Sequence, residues 1–390
     1  MANACKIVET SVEYASIAEA IAALTEGQTI QMIAAAEPAA DISVDKTFTL
    51  DLNGQTVTAD IFGSKGRLTV TGSGVTGTLK DSVGTGKYVT KAGSAASKAL
   101  IYSRNGAKVI IESGEWSSAG VPNAAVVLVA ENSTLDINGG KLPGESFSVT
   151  TNGSLSTGTV ITVSDGELSS NDDYAIYAAD KTGTVNITGG TITGQYGGIA
   201  TNGSTLNISG GTVIAKGIPN PIDDDGGATD GTIGEDAAAI AIWGEYAPVT
   251  AAIEDGTFEA QGVANVIGLA TYNASTIEVT GGEFKATGEN SEIIAVREVE
   301  GKEAVPTATV SGGSFNKAFD EKYLAPDTEL VENEDGTFGP APIDPDPEDP
   351  DKPTESVDLS KKASSFDILL MNNITMPPYN YTNKDWRREV

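Results

Sequence analysis

The residues that most enzymes use for acid–base and nucleophilic chemistry are scarce in this chain. It contains no histidine and a single cysteine, Cys5, among 390 residues. Without imidazole, a Ser-His-Asp or Cys-His nucleophile and the usual histidine-containing zinc sites cannot be built. A lone cysteine cannot form an intrachain disulfide, so we expect packing alone to hold the fold together.

Two adjacent carboxylates, Asp172 and Asp173, are the candidates for acid–base chemistry. Hydrolysis by such a pair needs two carboxyl groups about 5 to 9.5 Å apart that converge on one bond. Successive residues of a strand point to opposite faces instead. In the segment SSNDDYAIYAA we interpret both as turn residues that bond the local backbone. An acid–base site at this pair is the alternative.

The charge balance excludes several classes of partner. The chain has 54 acidic and 24 basic residues, a formal net charge of −30. Binding to phosphate backbones or anionic lipid needs Lys and Arg to replace counterions, so we expect no nucleic-acid partner. No run of 18 or more apolar residues occurs, and we expect no membrane insertion. Residues 1–14 lack a basic stretch followed by an apolar one, so we expect no secretory signal.

An acidic insertion at residues 217–236 could hold calcium through oxygen ligands. Its acidic residues are Asp223, Asp224, Asp225, Asp230, Glu235 and Asp236. The D-x-D-x-D-G spacing of an EF-hand loop is absent, and we interpret the insertion as a solvated loop. We therefore expect neither a metal site nor a cofactor.

Aromatic side chains, which make up 6% of the chain, are few enough for each to be considered separately. Five of them are candidates for exposed side chains that stack on sugar rings, namely Trp116, Trp243, Tyr174, Tyr177 and Tyr196. Core filling or lateral packing is the alternative for half of them.

A short pattern recurs nine times, in which alternating apolar residues lead into a bend of small residues and then a further apolar residue. Alternation with period two predicts a β-strand, and glycine in the bend predicts a corner best suited to a residue without Cβ. The corner glycines are Gly74, Gly114, Gly140, Gly166, Gly190, Gly211, Gly256, Gly282 and Gly313. Their spacings are 40, 26, 26, 24, 21, 45, 26 and 31 residues, and the values of 40 and 45 predict an extra coil or an inserted loop each.

A second apolar stretch precedes most copies of this pattern. These stretches are residues 124–130, 174–179, 197–201, 238–243, 265–271 and 292–296. Each period therefore holds two or three short strands, which cannot bury an apolar face without a neighbouring copy. Stacking of copies in one direction predicts parallel sheets, and hence an all-β fold of the parallel β-helix type.

The two open ends of such a solenoid expose strand edges and need covers. Near the start, Ile17, Ala20, Ile21 and Leu24 follow the i, i+3, i+4, i+7 spacing of an amphipathic helix, which we expect to cap the N-terminal end. Near the other end, residues 319–338 lack the glycine pattern and predict a closing hairpin.

Several segments together resemble the pectate-lyase-like right-handed parallel β-helix domains of bacterial and phage surface proteins. They are SIAEAIAAL, GQTIQMI, ISVDKTFTLDLNGQTVT, the GGTI-type coils and EKYLAPDTELVENEDGTF. The resemblance covers residues 15–338, after a lead-in at residues 1–14, and implies a right-handed β-helix there. Because that superfamily includes adhesins, tailspikes, lyases and glycosidases, the resemblance implies a fold more than an activity.

The enzymes of this superfamily carry motifs that can be sought in the chain. Pectate lyases carry a WiDxH-type stretch and an Arg base, and polygalacturonase-type hydrolases carry an Asp pair with Gly-His-Gly and Arg-Ile-Lys elements. The histidine-containing elements cannot exist here, and Arg67, Arg104 and Arg297 do not lie in an R-x-K frame. The comparison of motifs therefore favours a protein that is not an enzyme.

The chain changes character after the repeat region. Residues 339–356 contain six prolines interleaved with acidic residues, which predicts a semi-rigid linker. Residues 357–390 carry five basic and four acidic residues, a balance of +1, and are too short for a core yet too apolar to stay solvated. We expect a docking segment that binds a partner, with packing against the β-helix flank as the alternative. The candidate partner-binding residues are Phe366, Ile368, Leu369, Leu370, Met371, Tyr379, Tyr381, Trp386, Arg387 and Arg388.

A capped rod, a stiff linker and a terminal anchor describe a displayed module attached to a larger body. The leading hypothesis is a non-enzymatic phage virion protein, a head fibre or capsid decoration, whose β-helix projects from the virion surface for adhesion to host glycans. Its partner is then a capsid or other virion protein, and a homo-oligomer is compatible with this architecture. The alternatives are a tailspike-type polysaccharide lyase or hydrolase and a bacterial cell-surface adhesin.

Overall fold

Short β-strands make up about half of the described residues in the computed structural model, which describes residues 2–93, 98–151, 156–218 and 237–343. All of these belong to one unit, residues 1–343. The docking segment 357–390, with its ten candidate residues, lies outside the described residues. So do residues 344–356 of the linker and residues 219–236 of the acidic insertion.

The strands follow one another with short connections. The first group is β1 (Cys5–Ile7), β2 (Val12–Tyr14), β3 (Gln28–Met32), β4 (Ile42–Val44), β5 (Phe48–Asp51), β6 (Thr56–Ala59), β7 (Leu68–Thr71), β8 (Thr76–Lys80) and β9 (Lys87–Thr90). The second group is β10 (Ala99–Arg104), β11 (Lys108–Ile111), β12 (Glu115–Ser117), β13 (Ala125–Val129), β14 (Thr134–Gly144), β15 (Phe147–Thr151), β16 (Val160–Ser170), β17 (Tyr174–Ala178), β18 (Thr184–Ile187), β19 (Thr191–Gly194), β20 (Gly197–Thr201) and β21 (Thr205–Ala215). The third group is β22 (Ala238–Ile242), β23 (Thr250–Ala260), β24 (Asn265–Ala270), β25 (Thr276–Val279), β26 (Glu283–Ala286), β27 (Ile294–Arg297), β28 (Thr307–Val310), β29 (Ser314–Phe315), β30 (Thr328–Glu332) and β31 (Phe338–Pro342).

The described strands form two sheets. One, here called the flank sheet, has ten parallel strands in the order β4, β7, β10, β13, β15, β17, β20, β22, β24 and β27. The other has 21 strands and contains the rest. The chain passes from a flank strand to one or two strands of the larger sheet and back again, and each coil pairs in parallel with the next. This all-β, repeat-like stack of long parallel sheets is compatible with a parallel β-helix, as the sequence pattern predicts.

The core consists of continuous rows of aliphatic side chains, one from each coil. The flank-sheet row runs Ile42, Leu68, Ile101, Val127, Val149, Ile176, Ile199, Ile240, Ile267 and Ile294. All ten are buried. The six apolar stretches that precede the glycine corners all contain flank strands, so the prediction of strands there is confirmed.

The first of the nine glycine copies is not equivalent to the others. Residues 68–71 form β7 in the flank sheet, whereas the other copies begin in the larger sheet. In that coil the corner equivalent to Gly114 lies at residues 81–86, between β8 and β9. Because β8 pairs directly with β11, the spacing of 40 residues needs no extra coil. By contrast, β21 pairs directly with β23, so the spacing of 45 residues reflects an insertion within one coil.

The two ends of the described stack carry irregular elements. A helix at Ile17–Ala23 begins at Ser16, whose Oγ accepts a hydrogen bond from the Glu19 N–H, and it buries Ile17 and Ala20. Within the lead-in at residues 1–14, β1 and β2 pair with each other, and β1 also pairs with β3 of the larger sheet. At the other end a 3-10 helix at Glu321–Tyr323 precedes the antiparallel hairpin of β30 and β31.

The closing hairpin extends further than its composition predicts. Gly339, Pro340, Ala341 and Pro342 pair with β30, although composition assigns them to the linker. Strand β31 lies next to β29 through Phe338 and Phe315, at the boundary of the structure. Pro340 and Pro342 face Leu330 and Thr328, between the hydrogen-bonded pairs of the hairpin, so their missing N–H costs no ladder bond.

Buried carboxylates connect the turns of the first coils. Asp51 accepts hydrogen bonds from the N–H groups of Asn53 and Ser82 and from the Gln31 amide. Asp81 accepts hydrogen bonds from the N–H groups of Gly54 and Gly86 at 2.7 and 2.6 Å. Burial by itself raises the pKa of both aspartates, but these hydrogen bonds outweigh it and hold each pKa below the ordinary value.

We expect the Asp51→Asn and Asp81→Asn variants to be less stable than the wild type at neutral pH. A carboxyl group with a depressed folded-state pKa stabilises the fold above its unfolded pKa, and this contribution is lost as pH falls through the folded value. The difference in unfolding free energy between variant and wild type should therefore shrink below about pH 4. Urea unfolding at pH 7 and pH 3 measures it.

Asp45→Asn is the matched control for this prediction, because Asp45 is exposed. The unfolding free energy of Asp45→Asn should stay close to that of the wild type at both pH values. If the difference in unfolding free energy between Asp51→Asn and the wild type is the same at pH 7 and pH 3, ionisation of the buried carboxylate does not stabilise the fold.

Candidate functional site: an aromatic patch on the flank sheet

Aromatic side chains gather on the outward face of the flank sheet, around strands β15 to β22. We call Phe147, Tyr174, Tyr177, Tyr196 and Trp243 the aromatic patch. Tyr177 follows the core residue Ile176, so its side chain leaves the opposite face of β17. The outward row that contains Tyr177 continues through Ala200 and Ala241 on the next two strands.

The rings of the patch contact one another edge to face or stacked. The Tyr174 ring lies 5.4 Å from Trp243 and 5.6 Å from Tyr196, both close to perpendicular. Tyr177 stacks on Phe147 at 5.4 Å and lies 6.0 Å from Trp243. Such centroid separations are those of favourable aromatic pairs, so each ring restricts its neighbours. The patch is therefore ordered before any ligand arrives.

Small residues beneath the rings make this packing possible. Ala200, Ala238 and Ala241 are fully buried under the patch, next to Tyr174. A Cβ at Gly197 would overlap the Tyr174 ring. Because these strands carry almost no side-chain volume on this face, the aromatic rings have room to pack over them. Phe147, Tyr177, Tyr196 and Trp243 remain half-buried, with part of each ring at the surface.

Polar groups at one edge of the patch form a hydrogen-bonded set. The buried Asn202 donates through Nδ2 to the Tyr177 hydroxyl at 2.9 Å and to Glu245 Oε2 at 3.4 Å, and its Oδ1 accepts from the Glu245 N–H at 3.1 Å. The Tyr177 hydroxyl is also hydrogen-bonded to Tyr246. Burial raises the pKa of Tyr177, so the phenol stays protonated. Asn202 thus positions both Tyr177 and Glu245.

The structure brings together four of the five aromatic residues that the sequence singles out. The expectation that Trp116 is exposed is wrong. It is fully buried in the core, stacks on Tyr88 at 5.7 Å and donates from Nε1 to the Ser113 carbonyl. Tyr174 is also buried, at 1% exposure, and supports the patch from below.

Four further residues of this region were missed from the sequence. They are Phe147, Asn202, Glu245 and Tyr246. Asn202 and Glu245 follow the ends of β20 and β22, where the carboxyl ends of parallel strands meet at one edge. Their position directly after a flank strand could have identified them as site residues, once the parallel pairing of the strands was known.

The candidate carboxylate pair lies beside the patch. Asp172 and Asp173 occupy the turn between β16 and β17, as their interpretation as turn residues expects. Asp173 Oδ1 accepts from the Tyr174 N–H at 2.7 Å, and Asp172 Oδ2 accepts from the Ser146 hydroxyl at 3.4 Å. The Ser170 hydroxyl accepts from both backbone N–H groups. The turn is therefore fastened by local hydrogen bonds.

The acidic insertion starts close to the patch. Ile218 is the last described residue before the gap at 219–236. Its N–H donates to the carbonyl of Gln195, which precedes Tyr196. The described chain resumes at Ala237, directly before β22 and Ala238, which is buried under the patch. The described residues on both sides of 219–236 thus lie at this end of the flank sheet.

Other kinds of site were also considered over the described ranges. Those ranges contain no group of three or more Cys, Asp and Glu side chains placed to hold a metal ion. No helix within them is long and apolar enough to cross a membrane. The calcium candidates of the acidic insertion lie outside the described residues.

Comparisons with known proteins found no relative of this chain. No family model matches the chain, and no match to it was found among curated proteins or solved structures. The shared feature with pectate-lyase-like domains is therefore the coarser one, a strand-rich stack of parallel sheets compatible with a β-helix.

Proposed function

We propose that this chain is a non-enzymatic display protein whose right-handed β-helix presents the aromatic patch to a host-surface glycan. The helix at Ile17–Ala23 and the β30–β31 hairpin are its end caps, and residues 357–390 attach it to a larger assembly. A phage virion, in which the protein is a head fibre or capsid decoration, is the assembly that we propose. A bacterial cell-surface adhesin shares the binding role and differs in the attachment.

The observation that supports glycan binding is the half-buried aromatic patch with its polar edge. Tyr and Trp rings offer an apolar face that packs against the C–H face of a sugar, and their hydroxyl and N–H groups offer hydrogen bonds. Recognition surfaces of this kind combine rigid aromatic anchors with few polar groups that fix orientation. Here Tyr177 and Trp243 are the anchors, and Glu245 at the edge accepts hydrogen bonds from hydroxyl groups.

A repeated flank suits a polymeric ligand. Parallel strands lie about 4.8 Å apart, so side chains on successive coils meet a glycan chain at regular intervals. The patch spans several neighbouring strands, from β15 to β22, which exceeds the width of one sugar ring. A polysaccharide or long oligosaccharide is therefore a better fit than a monosaccharide.

One observation favours a second candidate, the tailspike-type polysaccharide lyase or hydrolase. Asp172 and Asp173 lie at the edge of the same patch, next to Tyr174. In an enzyme these carboxylates act on a glycan held by the aromatic rings. Their engagement in the turn and the lack of histidine support the non-enzymatic proposal instead.

We expect Trp243→Ala and Tyr177→Ala to weaken binding to host-surface polysaccharide by about tenfold or more, since truncation of a central aromatic anchor removes a hot spot. Titration of the purified protein with polysaccharide extracted from the host surface measures the loss. Tyr102→Ala is the matched control, because Tyr102 occupies the same outward row of the flank sheet three strands away. It should leave affinity unchanged.

Melting curves of the three variants separate lost binding from lost fold. Equal weakening by Tyr102→Ala would refute the patch as the binding site. The same incubation mixtures also test the second candidate. We expect no change in polysaccharide chain length, and depolymerisation that is lost in Asp172→Asn or Asp173→Asn would establish the enzyme instead.

A further inference from the structure

We infer that the aromatic patch selects neutral glycans over acidic ones such as uronic-acid-containing or sulfated polymers. This inference rests on the proposed function and names the ligand class of that same site. It is carried by the kinds of polar group that border the rings and by the charge around them.

The side chain best placed to bond a sugar is a carboxylate. Glu245 is exposed, and its Oε2 is held 3.4 Å from Asn202 Nδ2 while its backbone N–H bonds Asn202 Oδ1. It makes no ion pair with any described residue. An ionised carboxylate only accepts hydrogen bonds. It therefore pairs with sugar hydroxyls, which donate, and has nothing to offer a uronate or sulfate, which also only accept.

Two donors of this edge, the Asn202 amide and the Tyr177 hydroxyl, are already used. The Asn202 amide nitrogen donates to Tyr177 and Glu245, and the Tyr177 hydroxyl is also hydrogen-bonded to Tyr246. An acidic group placed beside Glu245 would have to displace one of these bonds to find a donor in Asn202 or Tyr177. A neutral sugar needs only acceptors for its hydroxyl protons, and Glu245 supplies them without rearrangement.

Charge around the patch acts in the same direction. Glu145, Asp172 and Asp173 border it near Phe147 and Tyr174, and Glu145 Oε2 accepts from the Asn171 side chain in the same turn. Two lysines lie nearby: the Lys181 Cα lies against the Gly203 loop, and the Lys216 N–H donates to the Gly194 carbonyl, two residues before Tyr196. At physiological ionic strength charges interact over about 8 Å, so bordering carboxylates still repel an anionic polymer laid across the rings.

The net charge of the chain strengthens this bias. The whole chain carries a formal charge of −30. An acidic glycan thus meets repulsion both at long range and at the contact itself, which lowers its rate of association as well as its affinity.

An array that pairs each neutral oligosaccharide with its uronic-acid or sulfated counterpart tests this inference on the full chain. We expect binding to the neutral members, with their acidic counterparts bound about tenfold or more weakly at low salt, and a smaller difference at 0.5 M salt. Glu245→Gln should narrow the difference, because the amide adds a donor and removes one charge. Glu131→Gln is the control, because Glu131 is a partly exposed carboxylate that pairs with Arg104. This variant should leave the preference for neutral glycans unchanged.

Three outcomes would count against this inference, and they bear differently on the proposed function. Equal or tighter binding of acidic members, lost in Trp243→Ala, would overturn the neutral preference and leave glycan binding standing. Binding to no member of either class would overturn both. Preference for neutral members that persists unchanged in Glu245→Gln at low salt would show that this carboxylate does not set the selectivity.

Discussion

Replacing Gly211 by valine is expected to lower the free energy of unfolding by more than about 3 kcal/mol or to prevent folding. Gly211 has a φ of +88°, and a Cβ there would lie 2.8 Å from the Gly189 carbonyl oxygen and 3.0 Å from its carbonyl carbon. These are backbone atoms of the preceding coil, fixed by parallel pairing on both sides. Chemical denaturation followed by circular dichroism measures the loss.

Gly74→Val is the matched control for this prediction. Gly74 has a φ of +83°, close to that of Gly211, but a Cβ there meets no atom within 4 Å. Only the left-handed backbone penalty of about 1–2 kcal/mol applies to it. The difference between the two variants thus isolates the contact between corners. Equal losses at Gly74 and Gly211 would contradict close stacking of the corners.

The same contact explains why glycine recurs at these corners. The absent Cβ of Gly140 faces the carbonyl oxygen of Gly114 at 2.9 Å, and that of Gly166 faces Gly140 at 3.0 Å. Gly190 faces Gly166 in turn, also at 3.0 Å. Gly140, Gly166, Gly190 and Gly211 are therefore required because of the coil before each of them, in addition to their own φ.

From the proposed attachment, we expect deletion of residues 357–390 to abolish incorporation into the virion while leaving the stack of parallel sheets folded. Under that proposal the segment gains affinity by burying its aliphatic run and aromatic side chains in a partner groove, with Arg387 and Arg388 paired to carboxylates at the rim. Every described strand lies before residue 343, so the deletion removes none of them. Co-sedimentation with purified particles measures attachment, and circular dichroism measures the fold.

Trp386→Ala refines this test, since a single buried tryptophan at an interface commonly contributes about 2 kcal/mol or more. We expect a measurable loss of attachment from this substitution alone. Phe62→Ala is its control, an exposed aromatic residue of the β-helix at 58% exposure, and should attach normally. Normal incorporation of the truncated chain would move the attachment site to the N-terminal region around Cys5 to Leu24.

Local pattern determined the strands and their mode of stacking. Alternating apolar residues such as those of β18 and β25 predict a strand, because burial of one face depends only on period two. Repetition at 21 to 26 residues over much of the chain then requires neighbouring coils to share a core. The helix at Ile17–Ala23 has the same local origin, in the spacing of its apolar residues and in the Ser16 cap.

Sequence pattern could not distinguish copies that look alike but occupy different sheets. The segment at residues 68–75 has the alternation and glycines of the other copies, yet its strand pairs with β4 and β10 in the flank sheet. In that coil the corner equivalent to the others carries Asp81 in place of a glycine pair. Register between coils is set by contacts between residues far apart in sequence, which no single copy contains.

The direction of each aromatic side chain was likewise decided only by tertiary structure. Trp116 and Trp243 look equivalent as rare aromatics beside strands, but Trp116 aligns with Tyr88 on the core side, whereas Trp243 follows β22 on the outward side. A shift of one residue in a strand exchanges the two faces. The patch forms because parallel pairing brings Phe147, Tyr177, Asn202 and Glu245 side by side from separate coils, and this proximity exists only once the coils have stacked.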